Sequence, residues 1–164
     1  MQIIFAIPEW FSYEKNMDQK SFTSVTPDEF KDILFSALRS VYKFERLEVL
    51  EFGLTLQQIY LLKFLKREGP VTIGKIAEEM EMKIFSATRL VDQLVEKGLI
   101  LKKRYQSDKR NVFARLSRHG ERMVGQIETH AVSSIMKNMD GFDAEEVAAI
   151  LFVCTKLNTI LNGS

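Results

Sequence analysis

Apolar positions recur at helical spacing along most of this chain and at strand spacing in one short stretch. Thr26-Pro27-Asp28-Glu29 is a capping box with proline at the first helical position, so a helix starts there. Phe30, Ile33, Leu34, Ala37, Leu38, Val41, Phe44, Leu47 and Leu50 form a broad stripe along it, wide enough for more than one neighbour, and Gly53 ends it. Thr55-Leu56-Gln57-Gln58 opens a second helix carrying Leu56, Ile59, Tyr60, Leu62, Phe64 and Leu65, closed by Gly69-Pro70. Val71 to Ile73 suits a short strand. Thr72 is a good N-cap for a third helix with Ile73, Ile76, Ala77 and Met80 at helical spacing. A fourth, from about Lys83 to Lys97, places Ile84, Ala87, Leu90, Val91, Leu94 and Val95 on one face, opposite Phe85, Ser86, Arg89, Gln93 and Glu96. Gly98 supplies the left-handed residue that stops such a helix. Leu99, Ile100 and Leu101 continue as a strand, and Val112, Ala114 and Leu116 alternate with Phe113 and Arg115 on a return strand. Ser117 caps a long helix to about Met139, and Asp143-Ala144-Glu145-Glu146 opens the last one. That last helix runs from Val147 to Cys154 without a polar break, and a helix apolar all round requires cover all round, most simply from a second subunit.

Two short helices with a tight turn, then a hairpin, make a winged helix-turn-helix. The fold class is mainly α with a small antiparallel β wing. In such a pair the second helix enters the DNA major groove, whose width of about 12 Å matches a helix with its side chains. The candidate base- and phosphate-contacting residues are Lys83, Phe85, Ser86, Thr88 and Arg89. Arg89 suits the O6 and N7 atoms of guanine, Ser86 and Thr88 suit bases or phosphates, and Phe85 suits a thymine methyl. Lys109 and Arg110 at the hairpin tip suit phosphates or a narrow minor groove, with Arg110 the first choice. Asp108 would be repelled by phosphate and fits an orienting role toward a wing arginine. Taken alone, the tip reads equally well as a solvated basic turn; beside the helix pair, the DNA contact is the stronger reading.

Thr88-Arg89-Leu90-Val91-Asp92-Gln93-Leu94, then Glu96-Lys97-Gly98-Leu99, Asp108-Lys109-Arg110, and Leu116-Ser117 with Gly120 stand in an order and spacing that resembles the MarR family of bacterial transcription regulators. These pieces match the end of the family's recognition helix, its D-x-R wing and its L-[ST]-x-x-G strand exit. The likeness extends more loosely from about Pro27 to about Leu161. It implies a sequence-specific double-stranded DNA-binding regulator, usually a repressor, acting as a homodimer on an inverted-repeat site. In the family the first and the last two helices of two chains interlock. The resemblance also implies a small aromatic or lipophilic effector, held by aromatic and apolar residues of the first, second and post-wing helices. Lys83 stands where relatives more often have a small capping residue. The boundaries that follow are an arm of unassigned role at 1–26, a dimerisation helix at 27–52, the winged helix-turn-helix at 53–118 and C-terminal dimerisation helices at 119–164, within a single structural domain.

Composition changes this picture little. A chain of 164 residues, 46% hydrophobic and 27% charged, can bury one core. The net charge of +1 is uninformative, but its distribution is not. From Lys102 to Arg122, eight basic residues are opposed only by Asp108 and Glu121, while the stretch from Glu9 to Glu51 is rich in carboxylates. The single cysteine, Cys154, cannot form an internal disulfide, and no apolar run nears the ~20 residues that span a bilayer. Ile3 to Ile7 is a short run that Pro8 breaks, with no basic lead, so a cytoplasmic location is expected. His119, His130 and Cys154 lack metal-ligand spacing, and the histidines read as surface or helix-terminus residues. Cys154 reads as inert core packing, since the redox-sensing branch of the family carries its cysteine near the chain start. No nucleophile, base and orienter constellation is present, so neither enzyme activity nor a cofactor is expected. The alternative is a winged-helix module that binds protein rather than DNA, against which the cationic wing argues.

Overall fold

The structure of the protein, a computed structural model, describes residues 26–105 and 108–162. Apart from Thr26, the N-terminal arm lies outside the described residues. The chain runs α1 (Pro27–Phe52), α2 (Leu56–Glu68), β1 (Val71–Thr72), α3 (Ile73–Glu79), α4 (Ile84–Glu96), β2 (Ile100–Tyr105), β3 (Asp108–Leu116), α5 (Arg118–Asn138) and α6 (Ala144–Asn162). Helices start where side chains satisfy the unpaired N–H groups of the first turn. The Glu29 N–H donates to Thr26 Oγ1 at 3.2 Å while the Thr26 N–H donates to Glu29 Oε2 at 2.8 Å. Thr55 and Gln58 repeat the exchange at α2, and Asp143 and Glu146 do so at α6.

The three strands form one antiparallel sheet in the order β1-β3-β2. Val71 stands opposite Ala114, and Ile100 opposite Leu116, with an irregularity between Lys103 and Tyr105. Leu99 precedes the sheet and Ile73 belongs to α3, so both strands start or end one residue inside the spans that the hydrophobic pattern suggests.

The described chain forms two compact units, and the division falls inside α1 and α5. One unit is 39–134. Its core joins Ile59, Leu61, Leu62 and Leu65 of α2, Ile76 of α3, Val91 and Leu94 of α4, Ile100 and Ala114 of the sheet, and Val124 and Ile127 of α5. Within this core lies one charged exception: Glu48 of α1 is buried, its Oε2 is 3.5 Å from Lys63 Nζ, and its Oε1 has no partner.

The other unit holds the described parts of 1–38 and 135–164. Its apolar side chains are mostly exposed: Phe30, Ile33 and Phe35 on α1, and Ile150, Leu151, Phe152, Val153, Ile160 and Leu161 on α6. Among its described hydrophobic residues, only Ala148 is buried. Cys154 is exposed rather than packed in a core, and its neighbours Leu151, Phe152 and Val153 are exposed with it. No described helix is long and apolar enough to cross a membrane.

Candidate nucleic-acid interface

The reading head is built by three local devices. Thr72 caps α3, its Oγ1 accepting the Lys75 N–H at 3.2 Å. At the other end of α3, the Glu81 N–H donates to Glu78 O at 3.1 Å and the Met82 N–H to Ala77 O at 2.9 Å, the paired bonds of a Schellman turn. Glu81 takes the left-handed position of that turn, with φ of 49°. The same pair of bonds closes α4, from Gly98 N to Val95 O and from Leu99 N to Leu94 O, both at 2.9 Å, with Gly98 at φ of 69°. There the glycine that ends the recognition helix also aims the chain into β2.

A serine then ties the far side of the sheet to α5. Ser117 N donates to Leu99 O at 3.0 Å, Ser117 Oγ donates to Gly98 O at 2.6 Å, and the Gly120 N–H donates to Ser117 Oγ at 2.9 Å. Gly120 packs so closely on the Leu99 carbonyl that a Cβ there would overlap its oxygen. The spacing of Gly98, Leu116, Ser117 and Gly120 is therefore one hydrogen-bonded knot that locks the end of α4 against the start of α5.

Buried Ala87, Leu90, Val91 and Leu94 turn one side of α4 to the core. Phe85, Thr88, Arg89, Asp92, Gln93 and Glu96 line a shallow groove of about 450 Å³ on its outer side. Lys83, Phe85, Ser86 and Arg89 are exposed, as their expected contact role requires, and Thr88 is half-buried with its hydroxyl donating to Ile84 O at 2.9 Å. Ile84 departs from the expected pattern. It belongs by spacing to the apolar face but is 64% exposed, because it opens the helix and no preceding turn covers it. Lys83 is the N-cap residue and makes no side-chain capping bond.

Charge varies along the outer face. Asp92 and Glu96 occupy its C-terminal half, where Asp92 pairs with Lys102 of β2 and Gln93 accepts a bond from the Gln58 amide at 3.3 Å. The cationic and hydroxyl groups lie in the N-terminal half. The Lys102–Asp92 pair escaped the sequence reading because it joins two elements, although the basic start of β2 hinted at a partner.

Asp108, Lys109 and Arg110 open β3, with Asp108 opposite Tyr105; the contacts expected of their side chains lie outside what is described. His119 is exposed, but His130 is no terminus residue: it sits within α5, edge-on to Phe52 at 5.6 Å between ring centroids, and its Nδ1 is buried without a partner. Among the described residues, no group of three His, Cys, Asp or Glu is placed to hold a metal ion.

A groove of about 550 Å³ lies between α2, the end of α3 and α5, and much of its lining is charged: Lys63, Arg67, Glu79, Glu81 and Glu128, with Tyr60, Phe64 and Met80. Its charges are largely paired, Arg67 with Glu68 and Glu79, and Lys66 beside it with Glu128. Tyr60, expected in the core, is half-exposed and donates its phenol proton to Glu45, which pushes its pKa from 10.0 to about 12, with help from partial burial and the charges of Glu45 and Glu48. Glu68 is held below the usual carboxylate range by hydrogen bonds from Lys75 and Arg67.

A helix pair so closed, with its cationic end outward and a three-stranded wing beside it, is a winged helix-turn-helix. Residues 54–112 match the MarR family model. The chain is 26% identical over 124 residues to the uncharacterized HTH-type transcriptional regulator YpoP of Bacillus subtilis (strain 168), covering 74% of this chain and 88% of that protein. It is 27% identical over 114 residues to the HTH-type transcriptional repressor MdtR of the same organism, covering 69% of this chain and 74% of that one. In fold it is similar to a MarR family protein of Bacillus stearothermophilus, with a TM-score of 0.71, 21% identity, and coverage of 89% of this chain and 99% of that one. Over its winged helix-turn-helix the chain is thus similar to MarR family transcriptional regulators, and it shares their fold.

Proposed function

We propose that the protein is a homodimeric repressor that binds an inverted-repeat operator through α4 and the wing, and that a small molecule relieves it. The observation that carries this reading is the polarity of α4: its N-terminal half presents Lys83, Phe85, Ser86, Thr88 and Arg89, and its acids are held back toward the C-terminal end. A helix that enters a groove by its N-terminal residues keeps those acids away from the phosphates. Arg89 addresses a guanine edge, Ser86 and Thr88 address bases or phosphates, and Lys83 addresses a phosphate. Lys109 and Arg110 are assigned the wing contact with phosphates or a narrow minor groove, and Asp108 the orienting of Arg110 or another wing arginine.

Repression is supported by the sequence similarity to MdtR, a transcriptional repressor. A dimer is supported by the apolar side chains that α1 and α6 leave uncovered. Two-fold symmetry would then place two heads on half-sites about 34 Å apart, one turn of duplex. The effector is assigned to the groove beside the turn between α3 and α4, where Tyr60, Phe64 and Met80 offer an apolar floor and the charged rim suits an amphiphilic aromatic compound. Its binding there would favour one setting of the reading helix over another.

Selection of bound sequences from random duplex DNA tests the reading. An inverted repeat with one-turn spacing is expected; protein that retains no duplex even at low salt would end it. On the selected site, Arg110→Ala should weaken binding by roughly 1 to 3 kcal/mol, and Lys83→Ala should flatten the salt dependence by about one phosphate. An Arg110→Ala protein that binds like the parent would remove the wing from the account.

A further inference from the structure

We propose that each operator half-site carries a pair of neighbouring thymines whose C5-methyl groups are read by Ile84 and Phe85. The inference rests on the DNA-binding reading above and adds the base identity that the head selects. Ile84 is 64% exposed and Phe85 77%, the latter the most exposed large hydrophobic side chain among the described residues. They stand side by side at the first two positions of α4. The other exposed apolar side chains belong mostly to α1, α5 and α6, so this pair is not part of the face left for a partner subunit.

Nothing in the fold explains the pair. Buried Ala87, Leu90, Val91 and Leu94 already fill the α4 contribution to the core, and a polar residue at either place would leave that core intact. Two adjacent large apolar groups held in water imply an apolar partner. Their position restricts what it is. They lie at the end of the reading helix that approaches base edges, next to the N-cap Lys83 and one turn before Arg89. Within the major groove the apolar feature of a base edge is the thymine C5-methyl, since the remaining edge groups are hydrogen-bond donors and acceptors. Base pairs stack about 3.4 Å apart, so side chains from consecutive residues of one helical turn reach methyls on neighbouring pairs. The flanking cations suit the phosphates on either side of that step and oppose a neutral protein surface as the occupant.

Deoxyuridine differs from thymidine only in lacking that methyl, which makes it the probe. On the duplex recovered by selection, each thymine of the half-site is replaced in turn by deoxyuridine, and affinity is measured by gel shift with the full chain. Two neighbouring positions should each lose about fourfold per methyl, the value expected for one buried methyl group. Ile84→Ala should abolish the loss at one of them and Phe85→Ala at the other, while Phe85→Leu keeps it. Because both side chains are exposed, the variants should keep the parent melting temperature, which separates a reading defect from a folding defect. Equal binding of thymine and deoxyuridine duplexes would overturn the inference while leaving the regulator reading in place. A methyl penalty that persists unchanged in both alanine variants would overturn it too, by assigning the methyl to another residue, and the pair would then be open to capture by a protein partner. A selection that recovers no duplex removes both this inference and the reading beneath it.

Discussion

Gly120 shows how much a single position can determine here. Its missing side chain is replaced by the Leu99 carbonyl, with Leu116 Cδ2 at 3.3 Å from where a Cβ would stand, so the glycine is demanded by close approach rather than by an unusual φ. Gly120→Ala must push the α5 start away from the α4 end and break the Ser117 knot. A loss of about 1 to 3 kcal/mol is expected in urea unfolding, as for other overpacked sites. An unchanged midpoint would show that the junction yields freely. Tyr60 answers to pH. Its phenol proton is held more tightly in the folded chain than in the unfolded one, with the pKa raised from 10.0 to about 12. Its contribution to stability is therefore complete below pH 10 and is lost as pH climbs toward about 12. Tyr60→Phe should flatten the alkaline limb of the stability profile, and ultraviolet titration of the parent should show one tyrosine ionising late.

At the scale of elements, the helix starts were legible because each is a local exchange between a side chain and a backbone N–H three residues away. Thr26, Thr55, Thr72, Ser117 and Asp143 all cap as their neighbours imply. Glu81 was not legible, since the left-handed position of the turn that ends α3 carries neither Gly nor Asn. Ile84 was misread for a different reason: spacing assigns a face, but a residue in the first turn is buried only if another element reaches it, and none does. The charged lining of the groove beside α3 likewise depends on three elements meeting, which no single stretch announces. The strained turn yields a prediction. Replacing Glu81 by glycine should relieve the left-handed backbone while keeping both Schellman bonds, raising stability by about 0.5 to 1 kcal/mol after the entropy that glycine adds to the unfolded chain. Thermal unfolding of Glu81→Gly decides it, and a lower melting temperature would mean that the Glu81 side chain contributes more than its backbone loses.

For the whole molecule, the decisive contrast is between its two units. Residues 39–134 enclose a core in which Ile59, Leu61, Leu62, Ile76, Val91, Leu94 and Ile100 are fully buried. In the described parts of 1–38 and 135–164, Phe30, Ile33, Phe35, Leu151, Val153 and Ile160 are all exposed. So much apolar surface left in water favours association, and the proposed homodimer is the arrangement in which each chain covers the other's. If so, the helices of this unit are stable only in company, and the apparent stability of the protein should rise with its concentration. Leu151→Glu combined with Val153→Glu would place two unpaired carboxylates in the covered face, each costing several kcal/mol to bury. Sedimentation velocity at micromolar concentration should show the parent as a dimer and the double variant as a monomer, its dissociation constant raised by at least about 100-fold. The variant should keep the helix-turn-helix fold, because no member of the 39–134 core is changed, yet bind the operator far more weakly, since one head must then hold a half-site alone. A parent that sediments as a monomer, or a double variant that still pairs, would show that α6 is not the face through which two reading heads are joined.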